Sequence, residues 1–170
     1  MCLISERSDN MKPDVLEELF KQHYNEALLY ILSISKNHMV AEDIISEAFF
    51  IALKTEDHEI MNFKPWLLKV SKNLYLNSIR KSTRVSELTE DVKDEKELMI
   101  DSIIREDKYR ELHHAISLLT PQYKEVILLF YFEDLSIKEI AFVLDKNEAI
   151  IKVTLFRARE ALKKIIENKK

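Results

Sequence analysis

The chain has 170 residues, 46% of them apolar, and a formal net charge of −4 at pH 7. This length and apolar content suit one or two small domains with their own hydrophobic cores. Glycine is absent, which excludes the glycine-rich phosphate loops and dinucleotide-binding turns that need a backbone without side chains. The single cysteine, Cys2, excludes an intramolecular disulfide bond and a zinc site made of several thiolates. At helix ends and turns, where glycine is usual, we expect Asn37, Asn62 and Asn147.

No segment of the sequence predicts a membrane anchor. The longest strongly apolar run, residues 126–132, is far too short to span a bilayer. The N-terminus lacks the basic segment followed by an apolar core that marks a signal peptide. We therefore expect a cytoplasmic protein without membrane insertion.

The first half of the chain shows the spacing of three helices. Apolar residues recur at helical intervals over residues 14–36 and again over residues 40–54. A polar, acidic loop over residues 55–62 follows. It leads to a third helix over residues 65–81, where Pro65 stands in the first turn and its missing N–H costs nothing.

The segment over residues 83–102 differs in composition from the rest of the chain. Between residues 86 and 101, seven acidic residues stand against two lysines, with few apolar residues to bury. Such a composition is typical of a linker. The sequence therefore predicts an all-α protein of two small helical domains, residues 11–82 and 103–170, joined by an acidic linker.

Helical signals resume after the linker. One helix is predicted over residues 103–119. Another begins at Pro121, with Thr120 as its cap, and ends at Tyr131 or Phe132. Two shorter helices around a tight turn complete the C-terminal domain.

Residues 136–162 have the pattern of a helix-turn-helix. Ser136 and Glu139 form a capping-box pair at the first helix, and Asn147 is a suitable N-cap for the second. In this motif the exposed side of the second helix enters the major groove of DNA. The alternative is an ordinary helical hairpin whose charges face water. The stripes expected to face the core are Ile137, Ile140, Ala141 and Leu144, then Ile151, Leu155, Ala158 and Leu162.

Positive charge is concentrated in two stretches of this acidic chain. Residues 64–84 contain six Lys or Arg and no acid, and residues 152–170 contain seven against two glutamates. This pattern favours local contact with a polyanion. In the third helix, cations and asparagines share a face near Trp66 and Tyr75, which suits single-stranded or partly melted DNA. The alternative for this helix is a solvated basic face with Trp66 in the core.

Segments at both ends of the chain resemble one known family, the extracytoplasmic-function sigma factors of bacterial RNA polymerase. Residues 41–50, 66–73 and 79–81 resemble its second conserved region. Residues 119–129, 138–141 and 157–162 resemble its fourth region. The resemblance extends from about residue 16 to residue 165, in the expected order.

This resemblance implies a subunit that binds core RNA polymerase, directs it to a promoter and helps to open the DNA. The loop over residues 55–64 and the third helix would capture a flipped base of the minus-ten element. The residues implied to dock on the polymerase are Asp43, Ser46, Glu47 and Phe50. Those implied at the minus-ten element are Lys64, Trp66, Lys69, Lys72, Asn73, Asn77, Arg80 and Lys81. Those implied at the minus-thirty-five element are Asn147, Ala149, Lys152, Val153, Phe156, Arg157 and Arg159.

Several positions depart from the family pattern. Ser46 stands where glutamine is usual, Asn77 replaces a common aspartate, and Asp145 replaces the usual glycine of the turn. Ile150, Val153 and Thr154 replace residues that are usually more polar or basic. The recognition helix then presents few hydrogen-bond donors. It can contact thymine methyl groups or depend on duplex shape, while its cations hold phosphates.

No catalytic constellation is visible, so we expect no enzymatic activity, no cofactor and no bound metal. His113 and His114 are adjacent and cannot form an i, i+4 metal pair on a helix. Core RNA polymerase and promoter DNA are the expected partners, with an anti-sigma factor as a further candidate. Two other functions stay open. One is a helix-turn-helix regulator that acts on duplex DNA without polymerase, and the other is an interaction module that has lost DNA recognition.

Overall fold

A computed structural model of the chain describes residues 11–55, 59–85 and 107–169. These residues contain helices and no β-strand, which confirms the all-α prediction. They fall into two compact units, one with the first three helices and one with the remaining helices. The acidic linker expected over residues 83–102 lies outside the described residues from position 86 onward.

The first unit contains three helices: α1 (Pro13–Ser35), α2 (His38–Lys54) and α3 (Phe63–Val85). All three were predicted, and α3 is longer than expected at both ends. It includes residues 83–85, which the sequence assigned to the linker. The core of this unit includes Ala27, Ile31, Ile45, Leu67 and Leu68 together with buried aromatic residues.

An aromatic cluster joins the three helices of the first unit. Phe20 of α1 meets Phe49 of α2 edge to face, with ring centroids 4.7 Å apart. Phe49 in turn lies 5.8 Å from Phe63 at the start of α3, and Trp66 stacks on Phe63 at 5.9 Å. Such pairs add to the burial of apolar area. They fix the beginning of α3, and with it the direction of its basic face.

The second unit contains α4 (Asp107–Ser117), α5 (Pro121–Ile127), a π-helix (Leu128–Phe132), α6 (Ile137–Leu144) and α7 (Glu148–Glu167). Helices α4, α5 and α6 all pack against α7. The predicted start of α4 at residue 103 lies outside the described residues, and the helix ends at Ser117, two residues earlier than predicted. The core around α5 and α7 consists of Ile116, Leu119, Val126, Ile127, Leu155 and Ala158.

The predicted caps of the helix-turn-helix are confirmed. Ser136 Oγ accepts the backbone N–H of Glu139 at 3.2 Å, and Glu139 Oε2 accepts the backbone N–H of Ser136 at 2.8 Å. Asn147 Oδ1 accepts the N–H of Ile150 at 2.8 Å. Each bond satisfies a donor that the helix start would otherwise leave without an intrahelical partner. The starts of both helices of the motif are thereby fixed.

Left-handed backbone occurs near the ends of three helices. Among the described residues, Lys36, Asp134 and Asp145 have positive φ angles of 53°, 55° and 54°. Asp145 follows α6 as its C-cap, and its N–H and that of Lys146 bond to the last carbonyls of the helix. Asp145, which stands where the family has glycine, thus adopts the left-handed conformation that glycine usually supplies. Asn147 has an extended conformation instead, as an N-cap requires.

The sequence predicted one helix from Pro121 to Tyr131 or Phe132. The structure has a helix to Phe132, but its last part is a π-helix. After Ile127 it widens into the π-helix, in which the N–H of Glu133 bonds to the carbonyl of Leu128 at 3.0 Å. Leu129 stays fully buried, while Tyr131 and Phe132 are about half exposed. A π-turn changes which side chains face the core, and such turns are frequent at functional sites.

Candidate nucleic-acid interfaces

The exposed side of α3 carries most of the residues that the sequence assigned to the minus-ten element. Asn73, Asn77, Arg80 and Lys81 are exposed, and Lys69 and Lys72 are partly exposed. The opposite side, with Leu67, Leu68 and Ser71, is fully buried. A helix that is basic on one side and apolar on the other fits a protein surface that contacts a polyanion.

The aromatic residues of α3 contribute to packing as well as to this surface. Trp66 is partly buried because its ring stacks on Phe63. Tyr75 Oη donates a hydrogen bond to the carbonyl of Ile34 at 3.1 Å, which ties α3 to the end of α1. Burial raises the pKa of the Tyr75 hydroxyl above its ordinary value. Tyr75 therefore supports the position of α3, and Trp66 is only partly exposed.

Lys64 has a protein partner in the structure. Its Nζ lies 3.0 Å from Glu26 Oε2 of α1, and only 17% of its side chain is exposed. His23 Nδ1 lies 3.1 Å from the same carboxylate oxygen. Burial acts to raise the pKa of Glu26, but the hydrogen bonds and charges of His23 and Lys64 outweigh it and hold that pKa below its ordinary range. Lys64 is thus paired with a carboxylate of α1.

The polymerase-docking candidates form one exposed face of α2. Asp43, Ser46, Glu47 and Phe50 stand at i, i+3, i+4 and i+7, and all four are exposed. Lys54 Nζ lies 4.2 Å above the Phe50 ring, a cation–π contact that orients this ring. The buried side of α2 is formed by Ala41, Ile44, Ile45, Ala48, Phe49 and Ala52.

Two exposed apolar residues of α2 were missed in the sequence. Met39 is 69% exposed and Leu53 is 39% exposed, near the two ends of the helix. Both lie outside the buried stripe of α2, so helical periodicity could have marked them as exposed. Together with Phe50, they make the exposed side of α2 both apolar and acidic, which suits a protein partner.

The recognition face of α7 consists of Ala149, Lys152, Val153, Phe156 and Arg157, which the structure brings together on one exposed side. Its opposite side is buried in the core, through Ile151, Leu155 and Ala158. Thr154 is also buried, so it belongs to the core side. Asn147 lies at the start of this face, with its amide oxygen used for capping. Ile150, exposed beside Val153, extends the face beyond the residues assigned from the sequence.

Arg159 is held against the π-helix. Its Nε donates to Tyr131 Oη at 2.7 Å, and its guanidinium lies 5.1 Å from the Phe130 ring centroid and 5.5 Å from that of Tyr131. A guanidinium stacked on rings and hydrogen-bonded to a hydroxyl is well satisfied by the protein itself. The sequence assigned Arg159 to phosphate contact, and the structure gives it partners in the π-helix.

Within residues 11–55, 59–85 and 107–169, no three His, Cys, Asp or Glu side chains are grouped so that they could hold a metal ion. In that part of the chain, no helix combines the length and the hydropathy needed to cross a membrane.

Comparison with known proteins agrees with this arrangement. Residues 19–85 match the family model described as Sigma-70 region 2, and residues 109–162 match that of Sigma-70, region 4. The chain is 28% identical over 160 residues to the ECF RNA polymerase sigma factor SigM of Bacillus subtilis, covering 87% of this chain and 93% of SigM. It is 32% identical over 138 residues to SigW of the same organism, covering 73% and 74% of the two chains.

The fold is also similar to that of solved proteins. The sigma factor RpoE from Bartonella quintana, in complex with the anti-sigma factor NepR, matches with a TM-score of 0.67 and 21% identity, over 91% of this chain and 98% of RpoE. Two helical units that match regions 2 and 4, in this order, define the class: a sigma-70-type transcription factor. More narrowly, the chain belongs to the extracytoplasmic-function (ECF) family of RNA polymerase sigma factors. The resemblance found in the sequence is confirmed.

Proposed function

We propose that this chain binds core RNA polymerase, brings it to promoters that contain a minus-ten and a minus-thirty-five element, and helps to open the DNA there. The observation that carries the proposal is the presence, in one sigma-family chain, of a basic helix face without acidic residues on α3 and a helix-turn-helix in the second unit. A regulator that binds only duplex DNA needs the second feature and has no use for the first.

In this proposal each exposed face has its own partner. The α2 face with Asp43, Ser46, Glu47 and Phe50 docks on polymerase, because its mixture of carboxylates and exposed apolar side chains suits a protein surface. The α3 face captures the melted minus-ten strand through its cations and asparagines, next to Trp66. The recognition face of α7 contacts the minus-thirty-five element as a duplex.

The domain boundaries belong to the same proposal. Residues 11–82 would form the domain that contacts polymerase and the minus-ten element, with α3 continuing to Val85. Residues 103–170 would form the domain that contacts the minus-thirty-five element. The chain itself would perform no chemistry, since the polymerase catalyses RNA synthesis. It would act in the cytoplasm, where polymerase and chromosome meet.

An anti-sigma factor is included among the partners. RpoE from Bartonella quintana was solved in complex with the anti-sigma factor NepR. The present chain exposes large apolar residues on α2 and α7, including Met39, Phe50 and Phe156. A binding protein that covered such residues would block both docking and DNA recognition.

The test is run-off transcription of fragmented genomic DNA by core polymerase, with and without the purified chain, followed by sequencing of the transcripts. We expect discrete new start sites that share two upstream elements. Co-elution with core polymerase without new starts would contradict the role in initiation. Binding to duplex DNA with neither co-elution nor new starts would favour the regulator that acts without polymerase.

A second experiment separates DNA opening from polymerase binding. Asn73→Ala removes an exposed amide from the α3 face and is expected to slow promoter opening, measured by permanganate reactivity of unpaired thymines, while core binding stays unchanged. Asn25→Ala, at an exposed position of α1, is the matched control and should alter neither. Equal losses of opening and binding in Asn73→Ala would contradict the role of this face.

A further inference from the structure

A cluster of three polar side chains joins α1 to the start of α3 in the first unit. Lys64 Nζ of α3 lies 3.0 Å from Glu26 Oε2 of α1, and His23 Nδ1 lies 3.1 Å from the same oxygen. Only 14% of the His23 side chain and 17% of the Lys64 side chain are exposed. One carboxylate oxygen therefore holds a lysine and a histidine together, at a place that is largely shielded from water.

The shared oxygen determines where His23 carries its protons. A carboxylate oxygen only accepts hydrogen bonds, so the Nδ1 of neutral His23 is the protonated ring nitrogen and donates to Glu26. A second proton can then bind only at Nε2. Protonation of the ring therefore adds a positive charge and keeps the bond to Glu26, because Nδ1 is a donor in both states.

Histidine is the residue type in this cluster that changes its charge near neutral pH. A histidine ordinarily gains or loses its charge between about pH 5 and pH 8, whereas a lysine ordinarily stays charged throughout this range. Burial acts to raise the pKa of Glu26, but the hydrogen bonds and charges of His23 and Lys64 hold that pKa below its ordinary value. Glu26 is therefore ionised across the same range.

The groups packed around His23 come from all three helices of the first unit. The Phe63 ring of α3 lies 5.8 Å from the imidazole, centroid to centroid, and carries no charge. Glu42 of α2 acts on Tyr24, the residue next to His23. Burial first, and the charge of Glu42 second, raise the pKa of the Tyr24 hydroxyl, so that it stays neutral. Within the described residues, the charges beside His23 are therefore those of the cluster itself.

A charged His23 weakens the attraction between Lys64 and Glu26. When His23 is neutral, one ammonium group faces one carboxylate. When it is protonated, two cations share that carboxylate, and they repel each other because both lie within 3.1 Å of the same oxygen. Partly buried charges are screened less than exposed ones, so this repulsion is felt. Lysine has a long and flexible side chain, which allows its ammonium group to move toward water.

We propose that protonation of His23 loosens the ion pair between Lys64 and Glu26, so that Lys64 joins the cations of α3 that contact the minus-ten strand under mildly acidic conditions. His23 is then a positioning residue, because it touches no DNA and acts through Lys64. The inference rests on the proposed function, since the strand that Lys64 would contact belongs to a promoter.

The first test uses the complete chain without DNA. Urea unfolding is followed by the fluorescence of Trp66, which stacks on Phe63 in the first unit, at about pH 8 and about pH 6. We expect Lys64→Met to lower the unfolding midpoint more at pH 8 than at pH 6, because the ion pair is already loosened at the lower pH. When His23→Gln is also present, a neutral amide replaces the imidazole, and Lys64→Met should lower the midpoint equally at both pH values.

The second test uses the holoenzyme and a promoter found by run-off transcription. From pH 8 to pH 6, the slope of promoter affinity against salt should become steeper by about 0.7 to 0.9, the value for one phosphate contact. His23→Gln and Lys64→Met should each remove this increase, and Lys64→Met should leave the slope at pH 8 unchanged. His114→Gln, at an exposed position of α4 in the second unit, is the matched control and should keep the increase, together with any pH dependence of the core polymerase itself.

The two tests fail in different ways. A midpoint loss in Lys64→Met that is equal at both pH values, or that stays pH-dependent when His23→Gln is present, overturns the control of Lys64 by His23. Control seen in urea without a steeper salt slope at pH 6 overturns the contact of Lys64 with DNA. In both cases promoter-dependent starts still support the proposed function. An absence of such starts overturns the proposed function and the DNA contact together, while the urea experiment still decides whether His23 controls the ion pair.

Discussion

The ion pair between Lys64 and Glu26 allows a test that separates a structural lysine from a DNA-binding one. The sequence placed Lys64 among the residues that contact the minus-ten element. In the structure its ammonium group lies 3.0 Å from the Glu26 carboxylate, beside His23. We consider Lys64→Met, which removes the charge and keeps an unbranched side chain of similar helix propensity.

The expected cost follows from the burial of the two partners. Lys64 is 17% exposed and Glu26 is 44% exposed, so the pair lies between the surface and the interior. Surface pairs contribute about 0–1 kcal/mol, and breaking a fully buried pair costs about 3–5 kcal/mol. We expect Lys64→Met to lower the free energy of unfolding of the first unit by about 1–2 kcal/mol, since a half-buried carboxylate would lose its cation.

Two assays measure the result. Trp66 is the single tryptophan of the chain and belongs to the first unit, so its fluorescence during urea unfolding reports on that unit. The salt dependence of promoter affinity of the holoenzyme reports on phosphate contacts, each of which adds about one to the slope. Lys64→Met should shift the unfolding midpoint and leave the slope unchanged.

The control is Lys81→Met on the same helix. Lys81 is exposed, so its loss should leave the unfolding midpoint in place and lower the salt slope by about one. If Lys64→Met instead had the same unfolding midpoint as the unchanged protein and lowered the salt slope, Lys64 would be a phosphate contact. The structural role of the Glu26 ion pair would then be refuted.

Four further perturbations test other features of the structure. Ser71→Ala removes a fully buried hydroxyl whose oxygen has no hydrogen-bond partner. It should stabilise the first unit by about 1 kcal/mol in urea unfolding, and a loss of stability would mean that the hydroxyl has a hydrogen-bond partner. Asp145→Gly should relieve the strain of the left-handed backbone at the C-cap of α6. Amide hydrogen exchange in α6 should then slow by about twofold to fivefold, corresponding to about 0.5–1 kcal/mol, and faster exchange would argue against such strain. Arg159→Ala should leave the salt slope of promoter binding unchanged, whereas Lys152→Ala should lower it by about one. Glu26→Gln should flatten the decline in the free energy of unfolding toward acid pH. The pKa of Glu26 is lower in the folded state than in the unfolded state, so its carboxylate stabilises the fold above the unfolded pKa, and this contribution is lost as pH falls through the folded pKa. An unchanged acid profile would contradict this linkage.

Local signals in the sequence were sufficient for most of the fold. The capping box at Ser136 and the N-cap at Asn147 depend on hydrogen bonds between residues three positions apart. Donor and acceptor therefore stand in one short stretch of sequence, where they can be recognised. The apolar stripe of α7 predicted its core side, which left Phe156 and its neighbours on the exposed side. The family resemblance then supplied what local patterns cannot, namely the order of the two domains and their partners.

The π-helix was not predictable from these signals. Residues 126–132 are apolar throughout, so periodicity cannot distinguish an α-turn from a wider one. The preference for the π-turn at Leu128–Phe132 depends on which side chains the core around α7 can accept. The π-turn therefore depends on tertiary packing, and it places Tyr131 where its hydroxyl accepts a hydrogen bond from Arg159.

Two cations that the sequence assigned to DNA contact, Lys64 and Arg159, have protein partners in the structure. A cation in a basic stretch contacts DNA only if the folded protein offers it no better partner, and that partner can come from any part of the chain. Arg159 bonds to Tyr131, 28 residues away, and Lys64 pairs with a carboxylate on another helix. Charge counting along the sequence does not register such partners, so we expect fewer cations to hold phosphates than the count suggests. The salt slope of the holoenzyme should therefore be smaller than the number of Lys and Arg on α3 and α7 suggests.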